Sequence, residues 1–293
     1  MENKTPKILV PTDFSQAAES AAFLAARIAL KSKDEVWLFH VIDKDTKANL
    51  KKNNEDIGYL NLKLEKLCKE YAEKFNVVFK FKLQEGNIFT TIGEFATEIG
   101  ATLMVLGTHG VQGIQRITGA YALKVVASSK IPVIIVQKNM VESNEQFKLV
   151  SPIDTSKETK QKTLQTINIA RVLGAKVYLY KQKGYDEDFE NIISLNTNFV
   201  RNHLIEHEVP CEVIQQEKVN KNFHTDFIAF SKSINADMII ILTTVDKDLK
   251  DMLIGPNEQL VINNEAQIPV MCVNPLQNLY VVERLASIVN LSF

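Results

Sequence analysis

Short apolar runs alternate with longer stretches of helical periodicity along the whole chain. In the first half the runs lie at 7–12, 35–42, 77–83, 102–107 and 132–137. They are rich in Val, Ile and Leu with little polar alternation, the pattern of strands covered on both faces. Between them, helical spacing recurs near 15–32, 56–75, 88–99 and 119–129. Ser15 is a good N-cap for the first helix, and Ala18, Ala21, Ala22, Ala25 and Ala29 give that helix a small-residue face able to lie close on a sheet. Strand and helix in strict alternation predict right-handed crossovers and a parallel, doubly wound sheet. The second half repeats the order, with strands predicted near 147–152, 175–181, 210–216, 237–242 and 269–273.

The two halves are also copies of one another. Lys7-Ile8-Leu9-Val10-Pro11-Thr12-Asp13-Phe14-Ser15 recurs as Lys148-Leu149-Val150-Ser151-Pro152-Ile153-Asp154-Thr155-Ser156, with Pro, Asp and Ser at a common offset of 141. Val36-Trp37-Leu38-Phe39 returns as Val177-Tyr178-Leu179-Tyr180. Further on, Gly119 matches Gly255 and Ile131-Pro132-Val133 matches Ile268-Pro269-Val270, at slightly smaller offsets, so the second copy is a few residues shorter. An ordered series of this kind marks a repeat. It predicts two tandem α/β domains, each a doubly wound parallel five-stranded sheet, at 1–140 and 147–275, followed by a tail at 276–293. The polar stretch Asn139–Gln146 joins them.

In an open parallel sheet, ligands bind beyond the carboxyl ends of the strands at the switch point. The first copy places three pieces there. Pro11-Thr12-Asp13 leaves strand one with a carboxylate suited to a ribose hydroxyl or an amine. His40-Val41 ends strand two, where backbone amide and carbonyl can read a base edge. Strand four runs into Gly107-Thr108-His109-Gly110, then Gly113, Arg116 and Gly119-Ala120 opening a helix. Glycines let backbone approach phosphate closely, and a helix N-terminus adds free amides. The same residues also admit a purely structural reading: the glycines as a tight turn under a helix, and Asp13 and Asp154 as residues of a helix N-terminus.

This combination resembles the universal stress protein domain, which pairs a strand-one Asp with a glycine loop after strand four, written G-x2-G-x9-G-(S/T). Gly107-x2-Gly110 matches its first half; Gly119 follows after eight residues rather than nine, and Ala120 stands where Ser or Thr is expected. The resemblance implies a Rossmann-like, adenine nucleotide α-hydrolase-like fold, with its two domains packed as a pseudo-twofold pair through the apolar last strands Val133–Val136 and Val270–Val273. It also implies a site for ATP or another adenine nucleotide in the first copy. There Asp13 would meet ribose and Val41 adenine, beside Pro11 and Thr12. Gly107, Gly110, Gly119 and Ala120 would cradle the phosphates, and His109 and Arg116 would lend donors. Any metal would be Mg carried by the nucleotide.

The second copy has Leu242-Thr243-Thr244-Val245-Asp246 in place of the glycine pair, and its Gly255 is followed by Pro256, which has no amide to offer. Nucleotide is therefore expected in the first copy only. The resulting expectation is a cytoplasmic, stress-associated regulatory module rather than a dedicated catalyst, with slow ATP hydrolysis and homodimerisation left open. The alternative is a protein-interaction scaffold that takes no nucleotide.

Composition narrows the classes without choosing among them. A formal charge of −1 over 293 residues leaves no basic footprint for nucleic acid. No apolar run approaches a bilayer span, and the N-terminal residues lack the apolar core of a secretion signal. Cys68, Cys211 and Cys272 are scattered and without CxxC spacing, as ordinary cytosolic thiols are. His203-Leu204-Ile205-Glu206-His207 matches an H-x-x-E-H zinc pattern, but it falls in the second helix of the second copy, away from the switch point. A solvated helix face is expected there, without metal. In the tail, Leu279, Val282, Leu285, Ile288 and Val289 approximate helical spacing, and one cation, Arg284, is too few for a membrane-surface helix. A helix docked on the protein's own surface is expected.

Overall fold

The computed structural model describes residues 5–108, 119–137, 146–219, 222–243, 245–246 and 253–275. The tail at 276–293, with its expected helix, lies outside them. The chain divides into two compact units, Met1–Glu142 with Lys247–Leu253 and Ser143–Asp246 with Ile254–Phe293.

Unit 1 runs β1 (Lys7–Pro11), α1 (Gln16–Ser32), β2 (Glu35–Ile42), α2 (Lys44–Asn53), α3 (Ile57–Phe75), β3 (Phe79–Glu85), α4 (Ile88–Ile99), β4 (Ala101–Gly107), α5 (Gly119–Ser128) and β5 (Val133–Val136). Its strands lie in the order β3-β2-β1-β4-β5, all neighbours parallel. The chain winds outward from β1 to β3 and then returns to the other side of β1, so the switch point lies between β1 and β4. Ser15 caps α1, its hydroxyl accepting from Ala18 N at 3.2 Å. Ala17, Ala18, Ala21, Ala22, Ala25, Ala26 and Ala29 are all buried, which brings α1 close onto the sheet.

The helix α2 has no counterpart in the apolar pattern. It is mostly Lys, Asn and Asp, and its ends rather than its faces define it: Asp43 accepts from Thr46 N at 2.7 Å and Asn54 closes it in the left-handed region. One apolar residue, Leu50, packs it against Ile42 and Leu60, with Phe14 and Leu83 beside them.

Unit 2 runs β6 (Lys148–Ile153), a 3-10 turn at Lys157–Lys162, α6 (Thr163–Leu173), β7 (Lys176–Lys181), α7 (Glu187–Glu206), β8 (Cys211–Gln215), α8 (Phe223–Ser233), β9 (Met238–Leu242), the short β10 (Val245–Asp246) and β11 (Leu253–Ile254), α9 (Pro256–Ile262) and β12 (Val270–Val273). The order β8-β7-β6-β9-β12 repeats that of unit 1, again parallel. Its switch point lies between β6 and β9. The first helix is where the copies part: α1 spans 17 residues, α6 only 11, because the 3-10 turn takes its opening.

Double-sided cover holds for the central strands and fails at the edges. β1, β4, β6 and β9 are buried almost throughout, whereas β3 and β8 show alternating or exposed positions. An edge strand has one neighbour and incomplete helix cover, so its outward residues stay wet.

Candidate functional site

The β1–α1 turn of unit 1 is held by its own polar side chains. Thr12 Oγ1 accepts from Phe14 N at 3.1 Å, and Asp13 Oδ1 accepts from Ser15 N at 3.0 Å. The Thr12 amide donates to the Phe39 carbonyl at 2.8 Å, and its carbonyl lies 2.7 Å from His40 Nδ1. Phe14 sits in the left-handed region with φ 63°, a conformation that costs a bulky residue about 1 kcal/mol or more. Its ring repays part of that by packing 4.8 Å from the His40 ring and 4.1 Å from the Lys63 ammonium.

These residues open onto a crevice at the carboxyl ends of β1 and β2, lined by Pro11, Thr12, Asp13, His40, Val41 and, from α4, Ile88 and Ile92. The enclosed part is a slot of about 20 Å³. The Val41 carbonyl accepts from Thr46 Oγ1 at a long 3.4 Å, a bond an incoming donor can replace. Pro11, Thr12, Asp13 and Val41 thus converge, as the sequence suggested. Sequence reasoning missed the wall formed by Asp43, Thr46, Ile88 and Ile92. For Asp43 and Thr46 the available signal was an Asp at a helix N-cap; Ile88 and Ile92 offered none.

Gly107 ends β4 against the first turn of α1. A Cβ there would stand 2.2 Å from the Ala17 carbonyl oxygen and 2.5 Å from Ala18 N. Packing alone therefore demands a glycine at this position. His109, Gly110 and Arg116 lie outside the described residues; Gly119 and Ala120 form the first turn of α5.

The matching turn of unit 2 is closed by its own residues. Asp154 Oδ1 accepts twice, from Ser156 N at 2.9 Å and from Thr159 Oγ1 at 2.6 Å. From α7, Asn196 Nδ2 donates to the Asp154 and Ser156 carbonyls at 2.9 and 3.1 Å. At the end of the 3-10 turn, Lys162 turns inward, is 3% exposed, and donates to the Pro152 carbonyl at the end of β6. Burial lowers its pKa from 10.5 to about 8, against the opposing pull of the Asp154 carboxylate. Burial likewise lowers the nearby His224, which Glu258 and Asp154 partly offset. Where unit 1 has a crevice beside the strand end, unit 2 has a lysine fixed there. In both copies the first-strand Asp bonds the amide two residues on, which explains why it persists where the glycine pair does not.

The two zinc-pattern histidines face backbone. His203 Nδ1 lies 2.8 Å from the Phe199 carbonyl and His207 Nδ1 lies 2.9 Å from the His203 carbonyl, with the His203 ring 4.1 Å from that of Phe199. No group of three metal-ligating side chains occurs among the described residues. Replacing both histidines with alanine is expected to leave the zinc content of the purified protein unchanged and near zero; elemental analysis showing a stoichiometric metal lost in the variant would refute this. Among the described residues no helix is long and apolar enough to cross a membrane.

Comparison with known proteins places this geometry. The sequence model of the universal stress protein family matches residues 4–137. Universal stress protein MJ0531 of Methanocaldococcus jannaschii is 35% identical over 145 residues, which make up 47% of this chain and 85% of that protein. Universal stress protein MJ0577 of the same organism is 29% identical over 155 residues, 45% of this chain and 94% of that protein. Among solved structures, a universal stress protein from Archaeoglobus fulgidus superposes with a TM-score of 0.69 at 15% identity, over 93% of this chain and 100% of that one. The functionally unknown protein PA1789 from Pseudomonas aeruginosa gives a TM-score of 0.67 at 16% identity, over 97% of this chain and 98% of that one. The structural likeness speaks for the fold and the sequence likeness for descent: this chain belongs to the universal stress protein family.

Proposed function

We propose that the chain is a cytoplasmic regulatory module that binds one adenine nucleotide, in the crevice of unit 1, and none in unit 2. The observation that carries this reading is the contrast between the two first-strand turns. Asp13 borders an open crevice beside Val41. Asp154 is bonded twice within its own turn, below a buried lysine. Asp13 would accept from ribose hydroxyls and the Val41 backbone would meet the base. The loop between Thr108 and Gly119, outside the described residues, would approach the phosphates. No residue pair is assigned to chemistry; the module acts by binding.

Calorimetric titration with ATP tests the assignment. Asp13→Ala removes a hydrogen bond to a charged group, about 1.5–3 kcal/mol, and should weaken binding by roughly ten- to a hundredfold. Asp154→Ala should leave affinity unchanged. Equal losses from both variants would contradict the proposal, and so would unchanged affinity in Asp13→Ala. One observation favours a nucleotide-free scaffold instead: close packing already accounts for Gly107. Failure of the wild type to bind millimolar ATP would put that reading in the lead.

A further inference from the structure

A groove of about 450 Å³ runs between α8 and the edge strand β8 of unit 2, with β8 two strands out from β6. Small-molecule sites occupy roughly 300–1,000 Å³. Ile214 of β8, Tyr180 of β7 and Phe230 of α8 give the groove an apolar, aromatic lining, with the Tyr180 and Phe230 ring centroids 5.2 Å apart. Asp226 of α8 and Glu217, just past the end of β8, add carboxylates, and Lys218 adds an exposed ammonium.

Packing leaves one group here unexplained. Tyr180 is 6% exposed, yet its hydroxyl makes no hydrogen bond to any described residue. A buried tyrosine hydroxyl ordinarily finds a partner, because a stranded one has lost its bonds to water. Burial raises the pKa of this phenol, and the carboxylates of Asp226 and Glu217 raise it further, so the hydroxyl lies in their field. In unit 1 the repeat puts Phe39 at the matching position, 1% exposed and stacked on Phe95 with centroids 4.3 Å apart. A plain phenyl ring closes that copy, and unit 2 carries a hydroxyl in its place.

The carboxylate beside it is held in position. Asp226 Oδ2 accepts from Gln216 Nε2 at 2.7 Å, and Gln216 Oε1 in turn accepts from the Lys183 amide at 3.1 Å. A carboxylate can accept several donors at once, so this bond orients Asp226 and is compatible with a further donor. Glu217 and Lys218 are exposed on the rim, where water weakens their fields and their signs offset. Lys183, also exposed, turns its ammonium to the Glu217 carbonyl at 3.1 Å. The half-buried Asp226 acts in a lower dielectric and sets a negative sign within the groove. Among the described residues no three metal-ligating side chains gather to hold an inorganic ion. Aromatic faces instead favour an organic cation, which they attract through the ring quadrupole.

We propose that this groove binds a small organic ammonium, the cation received by the Asp226 carboxylate and the Tyr180 hydroxyl and the apolar stem lying on Phe230 and Ile214.

Ligand-observed NMR titration of the full chain with phenethylammonium tests this. The expected dissociation constant is about 1 mM, modest because the probe is small and the groove open. Phenethyl alcohol, of the same shape without the charge, should bind at least about tenfold more weakly, and so should phenethylammonium to Asp226→Asn. That variant keeps an acceptor for Gln216. Tyr180→Phe should weaken the probe about threefold or more. Its denaturant midpoint should stay unchanged or rise, because no hydrogen bond within the protein is lost. Equal binding of the amine and the alcohol would overturn the proposal, as would unchanged affinity in either variant. No saturation by about 20 mM probe would do the same. A lowered midpoint in Tyr180→Phe would show that the hydroxyl is already bonded within the fold, which also contradicts it.

Discussion

Alanine at Gly107 is expected to destabilise the protein by about 3 kcal/mol or more, at the top of the range for overpacking a core. The added methyl would meet the Ala17 carbonyl oxygen at 2.2 Å, the Ala17 carbonyl carbon at 2.3 Å and Ala18 N at 2.5 Å. All three are backbone atoms of the first turn of α1, so no side chain can swing aside. Relief requires α1 to lift from β4, and with it Ala17, Ala18 and Ala21, which are now essentially solvent-free. Gly93 provides the control. It lies inside α4, and a methyl carbon added there would meet nothing within 4 Å beyond its own stretch of helix, so Gly93→Ala should stabilise by up to about 1 kcal/mol through better helix propensity. Denaturant unfolding of the two variants separates the roles of Gly107. A stable Gly107→Ala protein that loses only ATP affinity would show that the glycine serves a ligand and not the helix contact.

The second large effect belongs to Lys162. With its pKa lowered from 10.5 to about 8 by burial, holding it charged below pH 8 costs the folded state about 3 kcal/mol, at 1.36 kcal/mol per pH unit. Between pH 8 and 10.5 the unfolded chain still carries the proton that the folded protein has released. The unfolded state then binds more protons, so stability rises with pH across that window. Cys68 and Tyr71 act in the opposite direction. Burial raises both to about 12, and it also raises Cys272, so the folded protein holds protons that the unfolded chain loses above about pH 9 to 10. Their effect is common to wild type and Lys162→Met and cancels in the difference. From pH 7 to pH 10.5, the stability of wild type minus that of Lys162→Met should therefore shift by about 3 kcal/mol in favour of wild type. Parallel pH profiles for the two proteins would show that the amine is solvated and that unit 2's strand end is not closed by it.

Much of the fold is written in the sequence because the central strands are. Ile8-Leu9-Val10 and Ile239-Ile240-Ile241 are buried on both sides, and such runs announce themselves without alternation. The Ala face of α1 and the Ser15 cap are equally local signals. The helix α2 hides because the apolar pattern catches helices that bury an apolar face, and α2 buries a single leucine beside the polar Thr46. β3 begins at Phe79 rather than Val77 because Asn76, in the left-handed region, ends α3 and sets where pairing with β2 can start. At the site, Pro11, Thr12, Asp13 and Val41 were legible because a repeated motif and a strand end fix them. Ile88 and Ile92 were not, since they reach the crevice from a distant helix whose apolar face reads as core. Lys162 was the least legible. A lysine in the run Lys157-Glu158-Thr159-Lys160-Gln161-Lys162 reads as solvated surface, and only the 3-10 turn, which rotates it inward, makes it a buried cation.

The asymmetry between the two units is the central claim, and the number of nucleotides bound per chain tests it most directly. Purified full-length protein, freed of small molecules by unfolding and refolding, is titrated with ATP and weighed by native mass spectrometry at saturation. The expected result is a single adenine nucleotide per chain, retained in Asp154→Ala and lost at the same ATP concentration in Asp13→Ala. Two nucleotides per chain, or one that disappears with Asp154→Ala and survives Asp13→Ala, would contradict it.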